Sequence, residues 1–277
     1  MELRRIAGAL GAELLGVDLR SLTDCLVADI RKALLDHLVI FFRDQELTPA
    51  QYMAFARRMG KPVEYPFVKG IEGFSEIIEV KKLEHEKQNF GGIWHSDTAY
   101  LDVPPMGSML LARQVPPFGG DTLFANQYAA YEALSEGMKK LLDGLVAVNA
   151  SSKADVTRTR EDRIAEQGGD RKEYLAEHPV VRTHPETGRK ALYLGDKVKR
   201  FDGLTEDESA PLIKYLNEHA TRHEFVYRHQ WRKDDIIVWD NRCTMHLALG
   251  DFDETQRRHL ERTTVLGTPS GYVVAQA

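Results

Sequence analysis

Two clusters of aromatic and polar residues sit far apart in this chain: Trp94-His95-Ser96-Asp97, and Trp239-Asp240-Asn241-Arg242-Cys243-Thr244-Met245-His246. They constrain the fold most, because a chain that uses both together must return to the same point after a long excursion. The intervening pattern suits such a return. Short β runs recur at Ile77 to Val80, Ser108 to Ala112, Ala191 to Leu194, Phe225 to Tyr227, Ile236 to Trp239 and Thr263 to Leu266. Many short strands broken by turns favour a closed or double-sheet β core over a doubly wound α/β fold. Helices flank them. Residues Ser21 to His37 carry apolar side chains at helical spacing, and the strand Leu38 to Phe42 follows directly. Thr48-Pro49-Ala50-Gln51 reads as a capping box with proline at the first helical position, and Gly60 ends that helix. Thr205-Glu206-Asp207-Glu208 opens another helix reaching about Ala220, and a further helix spans Tyr128 to Leu145. The fold class is mainly β with flanking helices.

The chain has 277 residues, 43% of them hydrophobic, enough for a sizeable core. Acidic and basic residues are mixed, with net charge −5, so no nucleic-acid footprint is expected. The longest apolar run, Leu38-Val39-Ile40-Phe41-Phe42, is strand-sized, and no membrane association is expected. Met1-Glu2-Leu3-Arg4-Arg5 lacks the apolar core of a secretion signal, and Cys25 and Cys243 form no CxxC pair. Both features fit a reducing cytoplasm. Whether copies associate as a homo-oligomer is left open. Two charged stretches, Lys82 to Gly92 and Ser151 to Glu177, read equally well as solvated surface or as lids over a site.

A His-x-Asp spacing is common by chance in a chain with ten histidines. Three features lift His95 and Asp97 above that background. On an extended segment their side chains share a face. A β run follows them, and His246 sits just beyond the run Asp235 to Asp240, where a turn could aim it at the same metal. Two histidines and one carboxylate on one face of a metal leave three positions open, the ligand set of non-haem Fe(II) oxygenases. His85, His178, His184, His219, His223, His229 and His259 have no such setting and read as structural. Arg258 and Arg262 share a strand face, and two buried guanidiniums there need anions. Either buried acids such as Asp251 or Asp253 meet them, or one holds the distal carboxylate of 2-oxoglutarate and the other an anionic substrate. Gly119-Gly120-Asp121-Thr122 is a tight turn, and Thr122 becomes a hydroxyl donor to that carboxylate if the turn lies beside the arginine.

These motifs, together with Gly11-Ala12-Glu13-Leu14-Leu15-Gly16-Val17-Asp18-Leu19 and Arg257-Arg258-His259-Leu260-Glu261-Arg262-Thr263-Thr264, occur in an order that resembles the taurine dioxygenase / 2,4-dichlorophenoxyacetate dioxygenase (TauD/TfdA) family. The resemblance covers nearly the whole chain. It implies a double-stranded β-helix (jelly-roll) core and a single domain over residues 1–277. It implies Fe(2+) on His95, Asp97 and His246, and 2-oxoglutarate on Thr122 and Arg258. It matches Arg262 to the arginine that faces the substrate's anionic group. The implied reaction takes O2 and 2-oxoglutarate, hydroxylates a small organic anion (an aryloxyalkanoate, a sulfonate such as taurine, or an alkyl sulfate) and releases succinate and CO2. Gly91 stands where taurine-specific members carry asparagine, and Leu194 to Arg200 is more basic than in those members. A halogenase on the same scaffold is disfavoured by the retained Asp97. A cupin-like binding or sensor protein is the alternative from a different class.

Overall fold

Helix caps and strand alternation fix the local structure of a computed structural model that describes residues 1–83, 91–153, 173–253 and 255–270. In chain order the described residues form β1 (Glu2–Arg5), β2 (Ala12–Leu15), α1 (Asp24–His37), β3 (Val39–Phe42), α2 (Pro49–Met59), β4 (Pro62–Val63), β5 (Ile78–Lys82), β6 (Gly107–Gln114) and β7 (Thr122–Asn126). Next come α3 (Gln127–Glu132), α4 (Glu136–Leu142), β8 (Val146–Ala150), β9 (Leu175–Pro179), β10 (Val181–Thr183), β11 (Lys190–Leu192) and β12 (Val198–Phe201). The chain then adds α5 (Glu206–Ala220), β13 (Val226–His229), β14 (Ile236–Asp240), β15 (Thr244–Ala248) and β16 (Arg258–Val265).

The capping boxes form as expected: Thr48 with Gln51 starts α2, and Thr205 with Glu208 starts α5. Helix α1 begins later than Ser21, because the Thr23 hydroxyl accepts from Leu26 N and caps it there. The expected helix from Tyr128 to Leu145 is two helices. Ser135 takes an extended conformation and caps α4 through the amide of Met138, which ends the first segment. Strand β16 starts five residues before Thr263 and thereby takes in both arginines. The two candidate lid stretches include residues 84–90 and 154–172, which lie outside the described residues, as does His85.

A large sheet orders its strands β1-β2-β3-β14-β6-β16-β4, with β5 also paired to β16. A smaller sheet, β13-β7-β15, lies across one of its faces, completing the jelly-roll core. The central strands are apolar on both faces. In β14, Ile236 and Val238 join Ile40, Phe42 and Leu111 under the helical residues Ile30, Leu34, Tyr52, Met53 and Phe55. The alternate residues Ile237 and Trp239 join Phe41, Leu110 and Leu260 against Phe124 and Tyr227 of the smaller sheet. Strand periodicity therefore explains why β3 and β14 read as unbroken apolar runs: each residue meets one cover or the other. It also aims Ser108, Arg258 and Arg262 between the sheets, since they alternate in step with Leu110 and Leu260. Among the described residues, no helix is long and apolar enough to cross a membrane.

Leu111 is fully buried at the centre of the helix-covered face. Replacing it with alanine should destabilise the fold by about 2–5 kcal/mol, read as a lowered urea midpoint with an unchanged slope.

Candidate metal centre

His95 lies in a loop rather than on a strand, and one turn of antiparallel pairing holds it in place. Its amide donates to His246 O at 3.0 Å, and the His246 amide returns a bond to His95 O at 2.8 Å. His246 itself sits on β15, beyond the turn at Asn241 to Cys243, and not directly after β14. The turn is built by charge. Asp240 Oδ1 accepts from the amide and Nε of Arg242, and Oδ2 accepts from Arg242 Nη2 and His184 Nε2. Burial disfavours the Asp240 carboxylate, but Arg242 and His184 outweigh it and hold it well below the usual range.

The ligand-capable atoms of His95, Asp97 and His246 all lie within 4.8 Å of one another, and all three residues are buried. Each histidine Nε2 stands 3.9 Å from Asp97 Oδ1. His95 Nδ1 lies 2.7 Å from the carbonyl of Ile93, which can only accept, so Nδ1 carries the proton and Nε2 presents its lone pair. Burial, followed by the charge of the neighbouring imidazole, pushes the His95 pKa well down, and burial lowers that of His246 to about 4. Both rings are therefore neutral donors near pH 7. Burial acts against the Asp97 anion, but the Arg262 guanidinium, helped by the hydrogen bond from Ser108, overcomes it and keeps the carboxyl ionised. Two neutral imidazoles and one anionic carboxylate suit a divalent first-row metal. A second close group, His184, Asp240 and Cys243, does not. The amides of Glu186 and Thr187 donate to His184 Nδ1, so its Nε2 carries a proton toward Asp240 and has no lone pair to offer.

Arg258 is 1% exposed, and burial lowers its pKa to about 10. Its Nε donates to Gly120 O at 2.9 Å and its Nη2 to Thr122 Oγ1 at 3.4 Å. Asp251 and Asp253, the acids considered for the arginines, lie elsewhere: Asp251 pairs with Arg228 and accepts from Gly120 N, and Asp253 binds Thr255. Gly119 and Gly120 both have positive φ, 73° and 67°, which brings Thr122 beside Arg258. Sequence reasoning missed Trp231, whose Nε1 donates to Thr122 Oγ1 at 3.0 Å. With both Trp231 and Arg258 directed at that oxygen, the Thr122 proton points elsewhere. Arg262 donates through Nη1 to Asp97 Oδ1 at 2.9 Å, and its guanidinium lies 4.6 Å from the centre of the Tyr65 ring. The acid it meets is thus a candidate ligand. One pocket, with about 360 Å³ of atom-free space, is lined by His95, His246, Thr122, Arg258, Arg262 and Gly91 among others.

Burial also lowers the pKa of His178 to about 4, with the nearby Arg182 charge adding to it. A histidine normally titrates near 6.5, so between about 6.5 and about 4 the unfolded chain binds protons that the folded chain refuses. The metal-free protein should keep this contribution to stability above about pH 6.5 and lose it as pH falls toward 4. Urea unfolding at pH 7 and pH 5 checks the sign, and His178→Gln should flatten the slope.

Comparison with known proteins agrees with this geometry. The family described as "Taurine catabolism dioxygenase TauD, TfdA family" matches residues 2–264. An alkylsulfatase of Acinetobacter baylyi is 38% identical over 96% of this chain and 85% of its own length. An alpha-ketoglutarate-dependent sulfate ester dioxygenase of Pseudomonas putida is 36% identical over 96% of this chain and 90% of its own. The crystal structure of AAD-2 in complex with Mn(II) and N-oxalylglycine superposes with a TM-score of 0.80 at 32% identity, covering 97% of this chain and 98% of that one. With its jelly-roll core, its buried His–Asp–His group and matches of this extent, the chain belongs to the TauD/TfdA family of 2-oxoglutarate-dependent dioxygenases.

Proposed function

We propose that the chain is one dioxygenase domain in which His95, Asp97 and His246 hold Fe(II), Arg258 and Thr122 hold 2-oxoglutarate, and Arg262 faces a small organic anion. The observation that carries this reading is the shared pocket: His95, His246 and the buried Arg258 line the same space, and the Asp97 carboxylate lies within reach of both histidines. When bound, the metal and 2-oxoglutarate supply the O2 chemistry, in which a substrate C–H becomes C–OH while 2-oxoglutarate becomes succinate and CO2. The residues do the positioning. Arg258 offers a forked cation for the distal carboxylate, and Thr122 offers the hydroxyl proton that Trp231 and Arg258 turn away from themselves. N-oxalylglycine, named with Mn(II) in the neighbouring structure, differs from 2-oxoglutarate only by an NH in place of a CH2, which supports this cosubstrate.

Arg262 donates to Asp97 through Nη1 and lies over the Tyr65 ring. Its place in the pocket beside the candidate metal ligands supports an anionic head group there. Tyr65, beside Arg262, packs with Phe67, Tyr100 and Tyr174 at ring-centre distances of 5.5–6.3 Å, an aromatic cluster that supports a partly apolar body for such an anion. The relatives named for sulfate esters and alkyl sulfates make these the first class to test. Free Cys25 and Cys243 fit a cytoplasmic setting.

Substrate-dependent succinate release across alkyl sulfates, sulfonates, aryloxyalkanoates and their neutral analogues tests the reading. Wild type should prefer anions, and Arg262→Gln should lose that preference while still converting 2-oxoglutarate slowly without substrate. Equal turnover of neutral analogues by wild type would refute the anion. Arg258→Lys should raise the KM for 2-oxoglutarate roughly ten- to a hundredfold, because a bond to a charged group is worth about 1.5–3 kcal/mol and an ammonium cannot reproduce the fork. His246→Ala should abolish turnover and weaken metal binding.

A further inference from the structure

We propose that Trp239, Asn241 and Ser108 form a brace of hydrogen bonds, all running in one direction, that holds the Asp97 carboxylate so that Oδ1 alone faces the two histidines. The inference rests on the metal-site reading above. The direction of each bond is forced by the groups involved. An indole N–H can only donate, and Trp239 Nε1 points to Asn241 Oδ1 at 2.9 Å. That bond settles which end of the amide is which, so Asn241 Nδ2 is the end that donates to Ser108 Oγ at 2.9 Å. Ser108, having accepted, sends its proton to Asp97 Oδ2 at 2.6 Å. A bond of that length to an ionised oxygen lies in the charge-assisted range. The amide of Asp97 also points at Asn241 Oδ1, at 3.4 Å, so the same side chain meets the candidate ligand's backbone and steers its carboxylate.

The brace is anchored where the fold is most rigid. Ser108 and Trp239 are direct partners in the β6–β14 register, and the Asn241 amide donates to Met106 O at 2.9 Å. Trp239, Asn241 and Ser108 are each 0% exposed, so water does not compete for these bonds. Asp97, by contrast, lies in a turn, where sheet pairing cannot orient it. Its two oxygens are thus assigned different work. Oδ2 is engaged by Ser108, while Oδ1 meets Arg262 and stands equally far, 3.9 Å, from both imidazole nitrogens. A carboxylate fixed this way offers a metal one oxygen and not two, which keeps a further position open for cosubstrate and O2. Ser108, Asn241 and Trp239 are positioning residues: they act through Asp97.

The test uses metal binding and spectra in addition to turnover. Ser108→Thr and Ser108→Val add nearly the same bulk and differ in the hydroxyl. Mn(II) affinity, read from the EPR signal of the free ion, should stay near wild type in Ser108→Thr. It should fall at least about tenfold in Ser108→Val, the usual cost of losing such a partner. The visible spectrum of the Co(II)-loaded protein should shift in Ser108→Val and not in Ser108→Thr, as the carboxylate turns and its second oxygen approaches the metal. Ser108→Ala, which adds no bulk, and Asn241→Leu, which keeps the number and branching of side-chain heavy atoms, carry the same prediction if the larger side chains at Ser108 prevent folding. Equal losses in the threonine and valine variants, or wild-type affinity and spectrum in folded Ser108→Ala or Asn241→Leu, overturn the brace. If wild type and His246→Ala bind Mn(II) equally, the metal-site reading itself has failed, and the two failures are told apart.

Discussion

Two backbone hydrogen bonds, between the amide and carbonyl of His95 and those of His246, are what the candidate centre depends on. Among the described residues they are the only regular pairing that His95 makes, and they bring a loop against β15 at the place where three ligand-capable side chains converge. Everything around the bridge restrains one of its ends. The ion cluster of Asp240, Arg242 and His184 sets the turn before β15. Gly195 sits so close that an added Cβ would lie 3.3 Å from His95 Cα, which keeps the opposite wall bare of side chain.

The interior is costly in charge, and the manner of its neutralisation separates structure from function. Asp240 and Arg242 satisfy each other and are joined by His184, with Glu186 on the outer nitrogen of Arg242. Removing one member of such a buried pair is expensive, since the other is left uncompensated. Arg258 is different: its bonds go to a carbonyl and a hydroxyl, both neutral. A fully buried guanidinium with neutral hydrogen-bond partners supports the anion-binding role proposed for it, and burial lowers its pKa. Arg262 stands between the two cases, because the acid it meets is itself a candidate ligand.

Much of this was legible in the residues, but unevenly. The capping boxes at Thr48 and Thr205 were readable because both partners lie within one helical turn. The break at Ser135 was not, because apolar spacing continues across it and only the cap reveals the second start. The β run at Thr263 was read without the polar residues before it, although Arg258 and Arg262 were read as sharing a strand face; β16 joins the two in one strand. His246 was read as following β14 through a turn, yet it has a strand of its own. Trp231 carried no signal at all: its indole reaches Thr122 from far along the sequence.

By itself the sequence determined the chemical inventory and the local rules: three residues able to bind a metal, two arginines two strand repeats apart, apolar runs at β3 and β14, and helix starts marked by threonine. Those depend on residue type and short-range spacing, and both are written directly along the chain. Tertiary structure alone decided which atoms meet. Ser108 faces Trp239 through strand register, Arg262 on β16 reaches Asp97 in its turn, and Trp231 closes on Thr122. Register and sheet packing are settled by the sum of many distant contacts, and shifting a strand by one residue would send each of these side chains to the other face.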